Sequence, residues 1–70
     1  MDRQLVRSSN IRSVGYDPAI MILEIEFHSG NIYQYLSVPE NVYQGLLQAS
    51  SKGSYFQTYI KEHFSFRQVR

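Results

Sequence analysis

The chain has no cysteine and no tryptophan. That excludes disulfides, thiolate metal sites and cysteine nucleophiles, so stability must come from side-chain packing. Two prolines and four glycines are too few to make a linker or a low-complexity tract. No internal repeat is present, and 70 residues leave room for one hydrophobic core, a single domain over 1–70. The longest apolar run, Ala19 to Leu23, is strand-sized and far short of the ~20 residues of a membrane span. Met1-Asp2-Arg3-Gln4 does not open an apolar export signal, so the expectation is a cytoplasmic protein with no membrane contact. Residues 13–51 contain no lysine or arginine at all.

That last absence gives the charge map. Residues 1–12 carry +2, residues 13–51 carry −4 and residues 52–70 carry +3, which together make the formal +1. A polyanion should therefore meet the ends of the chain and avoid its middle. What the composition has in quantity is aromatic surface, six tyrosines and four phenylalanines. Each buries roughly 150–250 Å², which suits a small domain short of core volume.

Local patterns divide the chain. Residues 1–8 and 65–70 read as loose polar arms. Ile11 to Tyr16 reads as a first strand, with Gly15 a bulge or a point of close approach. Asp17-Pro18-Ala19 is turn chemistry: proline presets φ and the aspartate accepts from backbone just beyond it. From Met21 the chain alternates Met21, Leu23, Ile25 and Phe27 with Ile22, Glu24, Glu26 and His28, the mark of a half-buried strand. His28-Ser29-Gly30 fits a short hairpin loop. The returning strand then sets Tyr33 and Tyr35 beside Ile25 and Leu23, on the apolar face. A slip of one residue would send both rings to the glutamate face.

Ser37 and Glu40 are spaced as a capping box around Pro39, opening a first helix with Val42, Tyr43, Leu46, Leu47 and Ala49 on its apolar arc. Ser50 to Gly53 breaks it. Ser54 with Gln57 resembles a second capping box, followed by a helix with Tyr55, Phe56, Tyr59, Ile60, His63 and Phe64 on one side. The expected fold is α+β, a three-stranded antiparallel sheet with two C-terminal helices packed on one face.

An ordered set of these residues resembles the KTSC domain. It comprises Gly15-Tyr16-Asp17, Leu23-Glu24-Ile25, Gly30, Tyr33-Gln34-Tyr35, Val38-Pro39, Val42-Tyr43, Leu46, Ala49, Ser51-Lys52-Gly53, Tyr55-Phe56 and Ile60. That family is a short module at the C-terminus of some lysyl-tRNA synthetases and also a stand-alone bacterial protein. The resemblance implies no catalytic residues, and RNA as the ligand class to consider.

Candidate sites each carry a competing plain role. Tyr33 and Tyr35 invite base stacking, but the expected register puts both under the helices as core. Ser50 to Ser54 is a glycine-containing turn into a helix, suited to one phosphate or carboxylate beside Lys52, or simply a connection. Arg3, Arg7, Arg12, Arg67 and Arg70 could converge with Lys61 into a cationic rim, or be solvated tails. His28 and His63 lack partners for metal or acid–base work, and His63 is expected at the core or its rim.

The leading expectation is a non-enzymatic module without metal or cofactor, binding a tRNA-like or single-stranded RNA. Lys52, Gly53, Ser54, Tyr55, Lys61 and the terminal arginines would contact it, with a rim tyrosine such as Tyr43 or Tyr55 for stacking. The alternative is a protein-interaction or self-associating domain using Ile22, Ile32 and Leu36 on the open sheet face, or a sheet edge.

Overall fold

The alternation after Met21 becomes a strand, Ile22–Phe27, at the centre of a computed structural model that describes all residues 1–70. In chain order the elements are β1 (Gln4–Leu5), β2 (Ile11–Asp17), β3 (Ile22–Phe27), β4 (Ile32–Tyr35), α1 (Glu40–Gln48), α2 (Lys52–Tyr59) and β5 (Phe66–Gln68). The sheet is antiparallel, with strand order the same as chain order. No helix is long and apolar enough to cross a membrane.

The α+β class stands, but the sheet has five strands rather than three. Both segments expected to be loose arms supply an outer strand. Gln4 and Leu5 pair with Val14 and Ser13, and Phe66 to Gln68 pair with Tyr35 to Tyr33. They were invisible in the sequence because two or three exposed residues carry no alternation. The edges of β2 and β4 attract them, since an unpaired ladder of backbone groups is completed by any adjacent strand.

The central register is as expected: Leu23 lies opposite Tyr35 and Ile25 opposite Tyr33. The Asp17 turn closes as its chemistry suggests, with the Ala19 N–H donating to Asp17 Oδ1 at 2.9 Å. Arg12 is the extra residue of a bulge, opposed by no residue between Ile11–Phe27 and Ser13–Glu26. The bulge resets the pleat, so Ile11 and Val14 both reach the core although three residues apart. Leu46 of α1 and Phe56 of α2 close that core with Ile60, against Leu23, Ile25 and Tyr35.

Capping differs from expectation at both helices. Ser37 sits at φ 58°, and Pro39 precedes α1 with no side-chain cap. At α2 the cap is Ser51, whose Oγ accepts from the Ser54 N–H at 3.3 Å, so Lys52, Gly53 and Ser54 form the first turn. The helix also stops at Tyr59. His63 lies beyond it and is exposed, neither core nor helical, while Phe64 packs on the core.

The open sheet face holds one polar network that runs from the residue before β1 across to β5. Arg3, just before β1, pairs with Glu24, and its Nε donates to Ser13 Oγ at 3.0 Å. Ser13 Oγ donates to Glu26 at 2.8 Å, Gln34 donates to Glu24 at 2.7 Å, and Arg67 donates to Gln34 at 2.9 Å. Arg12 and Arg70 complete the set around Glu26, at 3.6 and 3.3 Å. Arg3 reaches this position because Gly15 has no side chain: a Cβ there would run into the Asp2 carbonyl and lie 3.1 Å from Arg3 Cγ.

Burial alone would raise the Glu24 carboxyl, but hydrogen bonds from Gln34 and Arg3 outweigh it and hold the group below its usual range. Glu26 is also lowered, first by its bond from Ser13, although burial opposes it, and then by Arg3, Arg12 and Arg70. A carboxyl with a lowered folded pKa stabilises fully above the unfolded value and loses that contribution as pH falls through the folded one. The urea midpoint is therefore expected to be flat above about pH 5 and to drop below about pH 4.5. A Glu24→Gln/Glu26→Gln variant should show a shallower drop. An equally steep acid transition in that variant would refute the assignment.

Candidate nucleic-acid interface

The structure splits the residues expected to contact RNA between two faces. Arg3, Arg12 and Arg70 do converge, but on Glu24 and Glu26, and Arg67 bonds Gln34 beside them. They form no rim with Lys61, because the carboxylates that hold them are on the open sheet face, whereas Lys61 follows α2 and lines a cleft with Phe56 and Gln57. The expected acidic open face is likewise covered by arginines. Of the apolar patch in the alternative reading, Ile32 is buried, its backbone paired with Arg70 and Val69, while Ile22 and Leu36 are half-buried.

The other basic residues lie on the helix side. The segment before β2 is tied over the β3–β4 turn, with the His28 N–H donating to the Asn10 carbonyl at 2.9 Å. The His28 ring Nε2 lies 3.0 Å from the Ser8 carbonyl. Ser8 Oγ in turn accepts from the N–H groups of Asn10 and Ile11, both at 3.3 Å. This brings Arg7 against the first turn of α2. The two segments enclose a cleft of about 440 Å³ lined only by polar side chains and backbone, including Arg7, Ser9, Ser51, Lys52, Gly53 and Ser54. Arg7, Lys52 and Lys61 make no ion pair, unlike Arg3, Arg12 and Arg70. Lys52 spends one of its three N–H donors on the Ala49 carbonyl at 3.0 Å, stabilising the end of α1, and has two left.

A second cleft, about 460 Å³, adjoins the first and shares Ser9, Asn10, Gly53 and Gln57 with it. Phe27, Tyr33, Tyr35 and Phe56 supply its aromatic walls, and Lys61 stands on its margin. Tyr35 is only 3% exposed, whereas Tyr33 is half-buried against Phe66, with centroids 5.5 Å apart. Burial, and secondarily Tyr33, pushes the Tyr35 hydroxyl up to about 12, so it stays protonated at neutral pH and can donate a hydrogen bond.

The rim tyrosines are already engaged. Tyr43 stacks on Tyr16 at 4.9 Å and 15°, and burial raises both hydroxyls. Tyr55 donates to the Val42 carbonyl at 3.0 Å and packs against Tyr59, at 4.8 Å. It faces α1 and lines neither cleft. Asn10, Asn31 and Gln57 were missed in the sequence, where they sit in separate segments with no shared spacing. The one available signal was Ser8-Ser9-Asn10, a turn cluster directly after Arg7.

Among known proteins, the chain is 47% identical to a KTSC domain protein of Yersinia pestis whose crystal structure superposes with a TM-score of 0.93, covering 99% of this chain and 97% of that one. It is 44% identical over 70 residues to an uncharacterized protein of Stutzerimonas stutzeri, covering 99% of each. It is 43% identical over 61 residues to a lysine–tRNA ligase of Nostoc, covering 87% of this chain but only 11% of the ligase. The KTSC domain profile matches residues 7–64, most of the sheet and both helices. The chain belongs to the KTSC domain family.

Proposed function

We propose that this protein is a non-enzymatic module that binds RNA on its helix side. The observation that carries the reading is the polar cleft between Arg7 and the first turn of α2, where cations without carboxylate partners face hydroxyls and backbone N–H groups. Such a site suits a phosphate, because the dipole of α2 and the two side chains act with the same sign. Lys61 extends the positive surface along the second cleft. A similar sequence occupying a small part of a lysine–tRNA ligase supports RNA as the polyanion. No group of three or more histidines, aspartates or glutamates gathers anywhere in the fold, and the His28 ring Nε2, in the second cleft with Ser9 and Ser29, lies on the Ser8 backbone carbonyl rather than on a serine hydroxyl.

The test is an amide-shift NMR titration of labelled protein with a short single-stranded RNA and with a tRNA, at two salt concentrations. Shifts are expected at Arg7, at Lys52 to Ser54 and at Lys61, with the network around Glu24 and Glu26 unmoved. Three phosphate contacts on a single strand give a log–log salt slope of about −2, so a fourfold rise in salt should weaken binding roughly 20-fold. An Arg7→Glu/Lys61→Glu variant should remain folded and lose at least about tenfold in affinity, the equivalent of ~1.4 kcal/mol. Unchanged binding in that variant would sink the reading. A spectrum silent to both RNAs would transfer it to a protein partner.

A further inference from the structure

The second cleft contains a polar group that the fold itself does not use. Tyr35 is almost wholly buried and lines the cleft, yet its hydroxyl makes no hydrogen bond within the protein. No side-chain nitrogen or oxygen is both fully enclosed and unpaired, so this hydroxyl keeps a slight exposure on a residue that lines the cleft. A hydroxyl left free by the fold, on a ring otherwise buried, has its donor and its acceptor lone pairs available to a ligand.

The surroundings narrow the ligand. The walls are aromatic, with Phe27 edge-on to Tyr33 at 5.8 Å and to Phe56 at 5.5 Å. At the margin stand Asn10, Asn31 and Gln57, and every one of these amides offers both a donor and an acceptor. Flat apolar walls with a neutral donor–acceptor rim match the faces and edges of a nucleobase rather than a second anion. The volume, about 460 Å³, lies within the range of ~300–1,000 Å³ that small-molecule sites occupy. Through Asn10, Gly53 and Gln57 the cleft is continuous with the cationic one, so a phosphate there and a base here would be neighbours on one strand.

We infer that the aromatic cleft receives one unpaired base of the bound RNA, with the Tyr35 hydroxyl donating to a base acceptor at its floor and the rim amides bonding the base edge. The inference rests on the RNA reading for the class of its ligand, but makes its own demand: recognition of a base. Duplex RNA, whose bases are stacked and paired, should not enter.

Four nucleoside 5′-monophosphates and ribose 5-phosphate are titrated into labelled protein, followed by single-stranded RNA, using wild type and Tyr35→Phe. At least one mononucleotide is expected to shift the amides of Phe27, Asn31 and Tyr33, which line the aromatic cleft alone, and ribose 5-phosphate to leave them in place. Tyr35→Phe keeps the ring and should melt at the wild-type temperature, since the hydroxyl bonds nothing inside the fold. It should bind the base-containing ligands roughly threefold to tenfold more weakly, the worth of one neutral hydrogen bond. If RNA shifts only Arg7 and Lys52 to Ser54, the base site is refuted while the phosphate site stands. If mononucleotides shift the aromatic cleft and RNA does not bind, the base site stands and the RNA reading falls. Equal affinity in Tyr35→Phe, or equal shifts from ribose 5-phosphate, overturns the inference.

Discussion

Tyr35→Ala is expected to cost about 3–5 kcal/mol and to leave much of the protein unfolded at room temperature. A 70-residue domain has a stability on the order of 4–10 kcal/mol, so the loss consumes most of the margin. The ring lies 5.6 Å from Phe56 and 5.6 Å from Phe66, edge-on to the first and tilted to the second. It thereby joins α2 to β4 and helps hold β5 on the sheet. Removing it leaves a cavity that three elements cannot close together, because each is pinned elsewhere by backbone pairing or helix contacts. Urea denaturation of Tyr35→Ala beside Tyr35→Phe measures the ring apart from the hydroxyl. A Tyr35→Ala protein with the wild-type midpoint would show that the ring is not part of the core.

Gly45→Ala should destabilise by roughly 1–3 kcal/mol, although alanine is the better helix former. A Cβ at position 45 would sit 2.7 Å from Tyr55 Cζ, well inside van der Waals contact. The ring cannot shift freely, since its hydroxyl donates to the Val42 carbonyl on the same helix and its flank rests on Tyr59. Helix propensity returns only about 1 kcal/mol, less than the overpacking and the strained hydrogen bond together cost. In a Tyr55→Ala background the clash disappears and the same substitution should stabilise. That reversal of sign in a double-mutant cycle is the measurement. A stabilising Gly45→Ala in the wild-type background would show that the two helices adjust without cost.

The central hairpin could be read from residues alone. Period-two alternation needs only the chain's own order, and the pairing of Leu23 with Tyr35 and of Ile25 with Tyr33 follows from keeping large apolar rings on the apolar face. The Asp17 turn and the existence of two helices are local in the same sense. Even here the caps went wrong: Ser51 and Ser54 both precede helix-forming residues, and only packing of Phe56 and Ile60 onto the sheet selects Ser51. Family membership was legible too, because it rests on an ordered set of residues spread along the chain.

The clefts were legible only in fragments. Lys52, Gly53 and Ser54 stand in one loop-like run, so their grouping is a matter of sequence. Arg7 joins them through the backbone bond between His28 and Asn10, a long-range contact with no local signature. The terminal arginines show the opposite error, since like charge at both ends of a chain says nothing about which carboxylates each will meet. Composition and order thus determined one aromatic core, an α+β class, the central register and a chain with basic ends. Tertiary structure alone decided that the ends become edge strands, that three arginines gather around Glu24 and Glu26, and that Arg7 and Lys52 stay unpaired by any carboxylate. The reason is physical: periodicity and turn chemistry act between near neighbours, whereas charge pairing and cleft formation depend on which distant segments the core brings together.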